Sequence, residues 1–327
     1  MIEIFLQNMT SPPILFFILG ITAGLLKSDL DVPEQISSYL SIYLMMAIGF
    51  KGGVAIAQTS QIDLEVILVI GAGILTGFLQ PFIGYFLLKK TTKLDSTTAA
   101  AVSAHYGSIS MVTFVTAVSF LETNAVFYAG YIVAVLALME APAILTGLFI
   151  AHRAEPKTLN YAKKTNAILY KEIFTNGAIL LLTGSFIVGA ISGNNGGMEK
   201  MSGFFVDPFH GILAFFLLDM GLVVARQANH LKEFNLRLFL FGIYMPLIGA
   251  TVGLFLSYII GLDVGTGLLF TTLVASASYI AVTAAMRLAL PNAKAAIYIP
   301  MSLAITFPFN IAIGIPLYYT IASTILG

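Results

Sequence analysis

The chain has 327 residues, of which 58% are hydrophobic and 10% charged, and its formal net charge is zero. Soluble domains carry about 25% charged residues, so this composition indicates a polytopic membrane protein. The absence of cysteine excludes disulfides, thiolate nucleophiles and cysteine-bound metals, and no basic patch points to nucleic acid. The N-terminal segment MIEIFLQNMTSPP carries an acidic residue where a signal peptide would be basic, so we expect no signal peptide.

Ten apolar stretches in the sequence are candidates to cross a lipid bilayer, each close to the length that a spanning helix needs. In chain order they cover approximately residues 12–26, 36–57, 64–88, 96–121, 125–151, 170–191, 204–225, 236–260, 264–286 and 296–325. With these spans, 14 of the 16 Lys and Arg residues fall in loops or at span ends on one side of the membrane. By the positive-inside rule that side is the cytoplasm, which places both termini outside.

The second half of the sequence repeats short motifs of the first half, in order, at offsets of 165 to 170 residues. The matches are GGVAIAQ with MGLVVARQ, QPFIG with MPLIG, Ser108 and Thr113 with Ser278 and Thr283, and Glu140-Ala-Pro142 with Thr306-Phe-Pro308. Since each half has five spans, the copies enter the membrane in opposite senses, which is typical of secondary transporters. Accidental similarity between apolar helices is the alternative.

These observations predict the fold class and the organisation of the chain. We expect an all-α polytopic membrane protein with ten transmembrane helices in two inverted five-helix repeats. The first repeat covers residues 1–152, a cytoplasmic connector covers 153–169, and the second repeat covers 170–327.

The fourth and ninth predicted spans contain runs of small and hydroxyl-bearing residues. SAHYGSISMVTFVTA places Gly107 next to Ser108 and Ser110, and VASASYIAVTAAMR places Ser276 and Ser278 at the matching position. Non-helical backbone at membrane depth is tolerated only where protein or water surrounds it. If both helices break, their free N-termini suit an anion, while carbonyls and hydroxyls suit Na⁺. The alternative is that the small residues only allow tight helix packing.

Lys51, Glu140 and Asp219 lie inside predicted spans and away from their first and last turns, where a charge needs a partner. Lys51 and Asp219 occupy equivalent positions in the two halves and have opposite signs, so we expect an ion pair with a structural or a transport role. Glu140 is a candidate for cation coupling, because a nearby proline frees a backbone carbonyl. The matching segment supplies Thr306 and Asn310, whose oxygens suit Na⁺, although Asn310 is equally suited to an interhelical hydrogen bond.

His105 lies well inside a predicted span, whereas the other three histidines lie near span ends or just after Pro208. It is a candidate for a proton relay or for a hydrogen-bonded packing role. No His-x-x-x-His pattern or cluster of histidines and carboxylates predicts a catalytic metal. A nucleophile elbow, a phosphate loop and a dinucleotide fingerprint are also missing. We therefore expect no enzymatic activity.

Over nearly its whole length the chain resembles the sodium-dependent bicarbonate transporter family of bacteria. The motifs that carry the resemblance are IGFKGGVAIAQTS, HYGSISMVTFVTAVSFLE, VDPFHGIL…MG, ASASYIAVTAAMRLALPNA and ITFPFNIAIGIPLY. The resemblance implies a multi-pass protein of the bacterial inner (plasma) membrane, whose broken fourth and ninth helices cross at the substrate. It also implies uptake of bicarbonate coupled to Na⁺, no organic cofactor, and commonly a homotrimer.

Together with the repeat, the resemblance assigns two groups of residues to the expected site. The residues expected around the anion are Tyr106, Gly107, Ser108, Ile109, Ser110, Ser276, Ala277, Ser278 and Tyr279. The residues expected around Na⁺ are Ser108, Glu140, Thr283, Thr306 and Asn310.

The sequence departs from the cyanobacterial members of that family inside this expected site. Tyr279 stands where they have an acidic residue, the run 282–284 (Val-Thr-Ala) replaces Gly-Pro-Pro, and His105 and Tyr106 replace more apolar residues. The identity of the substrate therefore stays open between bicarbonate and another small anion such as a short carboxylate.

Two other functions are further alternatives. One is exchange of Na⁺ for H⁺, and the other is a membrane sensor that binds an anion without moving it. Those relatives have a PII-like regulator and a much longer cytosolic loop between the halves, so the short loop here weakens the expectation of such a partner.

Overall fold

The computed structural model describes residues 2–58, 64–154, 177–228, 234–279 and 281–327. Within these ranges the regular secondary structure is helical and no strand is present. The predicted all-α class is therefore confirmed. Most of the predicted connector, and the start of the span predicted at 170–191, lie outside the described residues.

The first half of the described chain runs as a series of helices joined by short turns. They are α1 (Ile2–Met9), α2 (Pro12–Leu25), α3 (Glu34–Ala57), α4 (Leu64–Thr91), α5 (Ser96–Gly107), α6 (Met111–Thr123), α7 (Ile132–Leu138) and α8 (Glu140–Ala154).

The second half continues in the same way and ends in a helix with two π-helical segments. Its α-helices are α9 (Gly177–Ser192), α10 (Gly197–Phe205), α11 (Phe209–Ala228), α12 (Leu236–Ile260), α13 (Val264–Val274), α14 (Ala281–Ala289), α15 (Ala295–Pro300), α16 (Phe307–Phe309) and α17 (Ile315–Ile325). A 3₁₀ turn covers Gly193–Asn195, and the π-helical segments are Met301–Thr306 and Asn310–Gly314.

Six helical stretches of the described chain are long and apolar enough to cross a membrane. They are Glu34–Ala57, Leu64–Thr91, Ser96–Thr123, Phe209–Gln227, Leu236–Ile260 and Ala295–Ile325. Pro12–Leu25 and Val264–Val274 are apolar but shorter. In the most apolar 18 residues of Ser96–Thr123, 94% of the residues are buried, against 39% for Leu64–Thr91, so α5 and α6 lie at the centre of the molecule.

Two helix pairs bring the two halves of the chain into backbone contact. α2 packs along α11, and α3 packs along α9. A Cβ added at Gly53 of α3 would lie 1.9 Å from the Phe186 carbonyl oxygen on α9, and one at Gly221 of α11 would lie 2.3 Å from the Phe17 carbonyl oxygen on α2. These separations require glycine, in keeping with the use of small residues where membrane helices cross.

Aspartate side chains fix where α5 and α13 begin. Asp95 accepts a hydrogen bond from the Thr98 backbone N–H at 2.7 Å. Asp263 accepts from the backbone N–H groups of Gly265 and Thr266, each at 3.0 Å. A carboxylate at the N-cap satisfies free donors of the first turn and interacts favourably with the helix dipole. Both central helices therefore start with the same capping device in the two halves of the chain.

Candidate functional site

The first polar run interrupts a helix at the position that the sequence predicts. α5 ends at Gly107, Ser108 has extended backbone angles, and α6 begins at Met111. Ser110 caps α6 by accepting hydrogen bonds from the Thr113 backbone N–H at 3.3 Å and from the Thr113 hydroxyl at 2.9 Å. The backbone therefore leaves and re-enters the helix within three buried residues, one of which is Ile109.

The second polar run interrupts a helix in the same way. α13 ends at Val274, and residues 276–278 are non-helical before α14 begins at Ala281. The Ser276 hydroxyl donates to the Leu273 carbonyl at 2.9 Å. Ser276, Ala277 and Ser278 are all buried. The predicted interruption of this helix is confirmed as well.

Hydrogen bonds join the two interruptions to each other. The Ser110 backbone N–H donates to the Ser276 hydroxyl at 2.8 Å. The Ser278 backbone N–H donates to the His105 carbonyl at 2.9 Å. The two runs are separated by more than 160 residues in sequence and lie against each other in the fold. Their contact forms a buried polar crossing, which we define as residues 105–110 and 276–279.

One hydroxyl of the crossing has no hydrogen-bond partner among the described residues. The Ser108 side chain is 1% exposed, and its oxygen is unpaired. Leaving a buried polar group unpaired costs about 1–3 kcal/mol. The Ser108 hydroxyl is therefore free to bind a ligand that enters the crossing.

The two tyrosines of the crossing point toward neighbouring helices. The Tyr106 hydroxyl lies 2.7 Å from the Thr306 hydroxyl, and its ring packs edge-on against Phe241 at 5.0 Å between centroids. The Tyr279 ring packs edge-on against Phe307 at 5.7 Å. Each tyrosine therefore packs its ring against a phenylalanine of a neighbouring helix.

Two amide side chains bind the carbonyls that become free where α13 ends. Gln80 of α4 donates to the Val274 carbonyl at 2.8 Å, and Asn310 donates to the Ala275 carbonyl at 2.9 Å. The Tyr318 hydroxyl donates to the other end of the Asn310 amide at 2.9 Å. Asn310 therefore forms an interhelical hydrogen bond, the alternative that its sequence position left open.

The remaining residues predicted for Na⁺ differ in what surrounds them. Thr306 lies in the first π-helical segment, and its hydroxyl donates to the Gly242 carbonyl at 2.7 Å. Thr283 is buried in the first turn of α14, 3.1 Å from the His105 imidazole. Glu140 begins α8, but its side chain lies outside the described part of the chain.

The structure does not form the expected ion pair between Lys51 and Asp219. Lys51 pairs with Glu122 at the end of α6, and its ammonium lies 4.4 Å from the centroid of the Phe209 ring. Asp219 instead accepts a hydrogen bond from Ser37. α3 and α11 run antiparallel, and Ser37 lies 14 residues before Lys51, so about 21 Å separates the two charges along the helices. The prediction was wrong because repeat-equivalent positions need not be neighbours.

Two residues with important contacts were not predicted from the sequence: Gln80, which binds the Val274 carbonyl at the crossing, and Glu122, which pairs with Lys51. Gln80 precedes the proline of QPFIG and is a polar residue inside an otherwise apolar helix. That environment is itself a signal, because amide side chains in a membrane helix need a partner. Glu122 follows the apolar stretch of α6, so its position gave no sign that it would pair with a residue of α3.

Long apolar helices and interrupted helices that meet at a buried polar crossing are typical of helical membrane transporters. The chain belongs to the Na⁺-dependent bicarbonate transporter superfamily, whose family model matches residues 12–323. The resemblance stated from the sequence motifs is therefore confirmed. No curated protein matches the chain. Membership in a transporter family implies that the protein is not an enzyme.

Proposed function

We propose that the protein is a secondary active transporter that carries bicarbonate and Na⁺ together into the cell by alternating access. The family to which the chain belongs supports bicarbonate as the substrate and Na⁺ as the coupling ion. The single observation that carries the proposal is the crossing of two interrupted helices around the unpartnered Ser108 hydroxyl. Substrate sites of many secondary transporters lie between such discontinuous helices.

The crossing has the electrostatic character of an anion site. α6 and α14 both begin at it, and the first N–H groups of a helix lack partners within the helix. The aligned peptide dipoles add a partial positive charge at each of these ends. Bicarbonate would be held by these donors together with the hydroxyls of Ser108 and Ser278, without a basic side chain.

The same proposal includes how the whole chain is arranged across the membrane. Ten spans form two inverted repeats of five, with both termini outside and residues 153–169 in the cytoplasm. The helix interruptions at 108–110 and 276–278 support this symmetry, since they lie at matching places in the two halves. Hydrogen bonds between the interruptions support a substrate site on the boundary between the repeats.

Na⁺ requires oxygen ligands close to the same crossing. The hydroxyls of Ser108 and Thr283 are the best candidates, because neither donates to a backbone carbonyl within the described chain. Thr306 and Asn310 hold backbone carbonyls of neighbouring segments and would serve mainly to shape the site. Glu140 would supply the negative charge that a buried cation needs.

A short carboxylate is the second candidate for the transported anion. The aromatic residues Tyr106 and Tyr279 at the crossing favour it, because a carboxylate has an apolar end that could pack against a ring. Bicarbonate has no such apolar end.

Uptake by purified protein in liposomes tests the proposal. Labelled bicarbonate should accumulate when an inward Na⁺ gradient is imposed at alkaline pH, where little CO₂ is present to cross the bilayer. Ser108→Ala should lower uptake strongly, whereas Ser323→Ala, which changes an exposed serine of α17, should not. Absence of bicarbonate uptake under a verified Na⁺ gradient would overturn bicarbonate as the substrate. Uptake of acetate in the same vesicles would then favour the short carboxylate.

A further inference from the structure

His105 connects the two halves of the chain through both its backbone and its side chain. Its carbonyl accepts the Ser278 N–H, and its Nε2 lies 3.1 Å from the Thr283 hydroxyl oxygen. Its Nδ1 lies 2.6 Å from the Ala101 carbonyl oxygen. The imidazole therefore bridges the end of α5 and the first turn of α14.

These contacts define which ring nitrogen carries the proton. A carbonyl oxygen can only accept, so Nδ1 must donate to Ala101. The His105 side chain is fully buried, and no carboxylate of the described chain lies within salt-bridge distance of it. Burying an unpaired charge is costly, so the ring is neutral and Nε2 is an acceptor. The Thr283 hydroxyl must then donate its proton to Nε2.

The direction of this hydrogen bond determines what the Thr283 oxygen can still bind. A hydroxyl has one proton and two lone pairs. With its proton directed at His105, Thr283 keeps both lone pairs for another ligand. Threonine in a helix often spends its proton on a carbonyl of the preceding turn instead. Stacking of the His105 ring on Tyr298, with 4.6 Å between centroids and 29° between planes, holds the imidazole in place.

We propose that His105 is a positioning residue that orients the Thr283 hydroxyl as an oxygen ligand for Na⁺. This inference rests on the proposed function, since it assumes that Na⁺ binds at the crossing. His105 does not touch the cation in this arrangement; it fixes the proton of a residue that does. Partners that orient a metal ligand typically change metal affinity by roughly 10- to 100-fold when they are removed.

Binding of Na⁺ can be measured without transport, from the unfolding temperature of the purified protein in detergent. A ligand that binds only the folded state stabilises it by RT ln(1 + L/Kd), where L is the ligand concentration, so the unfolding temperature rises with L in a way that depends on Kd. Titration with NaCl, with choline chloride keeping the ionic strength constant, gives an apparent Kd for Na⁺ for each variant. The unfolding temperature without Na⁺ reports whether the variant is folded.

Four variants and one control separate the orienting role from simple packing. Thr283→Val removes the hydroxyl, and Thr283→Ser keeps it. His105→Phe removes both ring nitrogens but keeps an aromatic ring beside Tyr298. The fourth variant combines Thr283→Val with His105→Phe. His152→Phe changes a histidine at the far end of α8 and is the matched control.

We expect Thr283→Val and His105→Phe each to raise the apparent Kd for Na⁺ by roughly 10- to 100-fold. The double variant should be no weaker than either single one, because both changes remove the same oriented oxygen. Thr283→Ser and His152→Phe should respond to Na⁺ as the unmodified protein does.

Two results would overturn the inference and leave anion transport standing. The first is additive weakening in the double variant, which would mean that His105 does not act through Thr283. The second is a protein that takes up bicarbonate or a carboxylate but shows no Na⁺-dependent rise in unfolding temperature. If His105→Phe does not fold, His105→Asn in the Thr283→Val background makes the same comparison of additivity. If the unmodified protein takes up neither bicarbonate nor a carboxylate, that result would instead count against the proposed function.

Discussion

Gly107 ends α5 where Pro81 of α4 packs against it. A Cβ built on Gly107 would lie 2.3 Å from Pro81 Cγ and 2.5 Å from its Cδ. Neither atom belongs to a flexible chain end, so Gly107→Ala would force α4 and α5 apart. Overpacking of this kind typically costs about 1–3 kcal/mol.

We expect Gly107→Ala to lower both the unfolding temperature in detergent and the uptake rate in liposomes. Gly71→Ala is the control, because no atom lies within 4 Å of a Cβ built there, on the same helix as Pro81. Alanine is the better helix former, so Gly71→Ala should be neutral or slightly stabilising. Equal effects of the two substitutions would contradict the argument from close packing.

At the scale of single residues, the interruptions could be predicted and most of their partners could not. Glycine and serine are conspicuous in a sequence of apolar helices, so the runs around Gly107 and Ser276 stand out locally. Hydrogen-bond partners depend on how distant helices meet. Gln80 reaches the Val274 carbonyl across 194 residues of sequence, and no local pattern encodes that distance.

At the scale of elements, the end of α13 depends on side chains from two other helices. Gln80 and Asn310 donate to the successive carbonyls of Val274 and Ala275. A helix end buried without such donors would leave several carbonyls unpaired at membrane depth. The π-helical segment that contains Asn310 is a further departure from regular structure, and such segments are frequent at functional sites.

Replacing either amide by an apolar residue should therefore destabilise the crossing. We expect Gln80→Met and Asn310→Leu each to lower stability by about 1–3 kcal/mol, because each leaves a buried carbonyl unpaired. Tyr318→Phe removes a single hydrogen bond to Asn310 and should have the smaller effect. Thermal unfolding in detergent ranks the three variants. A larger loss in Tyr318→Phe than in Asn310→Leu would be inconsistent with this role of the amide.

At the scale of the whole molecule, the absence of cysteine makes the proposed topology directly testable. Lys93, Lys200 and Lys294 are exposed, and the topology places Lys200 outside and the other two inside. A membrane-impermeant maleimide should label Lys200→Cys in intact cells. It should label Lys93→Cys and Lys294→Cys only after permeabilisation. Labelling of all three in intact cells would rule out the ten-span arrangement.

An ionic cluster also joins α3, α6 and α11 at the end of the molecule where Lys51 lies. Glu122 pairs with Lys51, lies 3.5 Å from His210 through its second oxygen, and accepts a hydrogen bond from Tyr128 at 3.3 Å. α3 and α11 belong to the helix pairs that pack outside the crossing, whereas α6 begins at the crossing itself. The cluster therefore connects the interrupted helices to the helices around them.

A double-mutant cycle on Lys51 and Glu122 measures the interaction free energy between these two side chains. Glu122→Gln leaves the Lys51 ammonium, on a side chain that is 15% exposed, without its carboxylate. We expect each of Glu122→Gln and Lys51→Met to lower the unfolding temperature, and the double variant to lose less than the sum of the two. The coupling should be on the order of 1 kcal/mol, because the pair is partly exposed and solvent screens it. Since the pair lies away from the crossing, the KM for the anion should stay unchanged in all three variants. A raised KM would mean that Glu122 takes part in binding the anion, and not only in the ionic cluster that joins α3, α6 and α11.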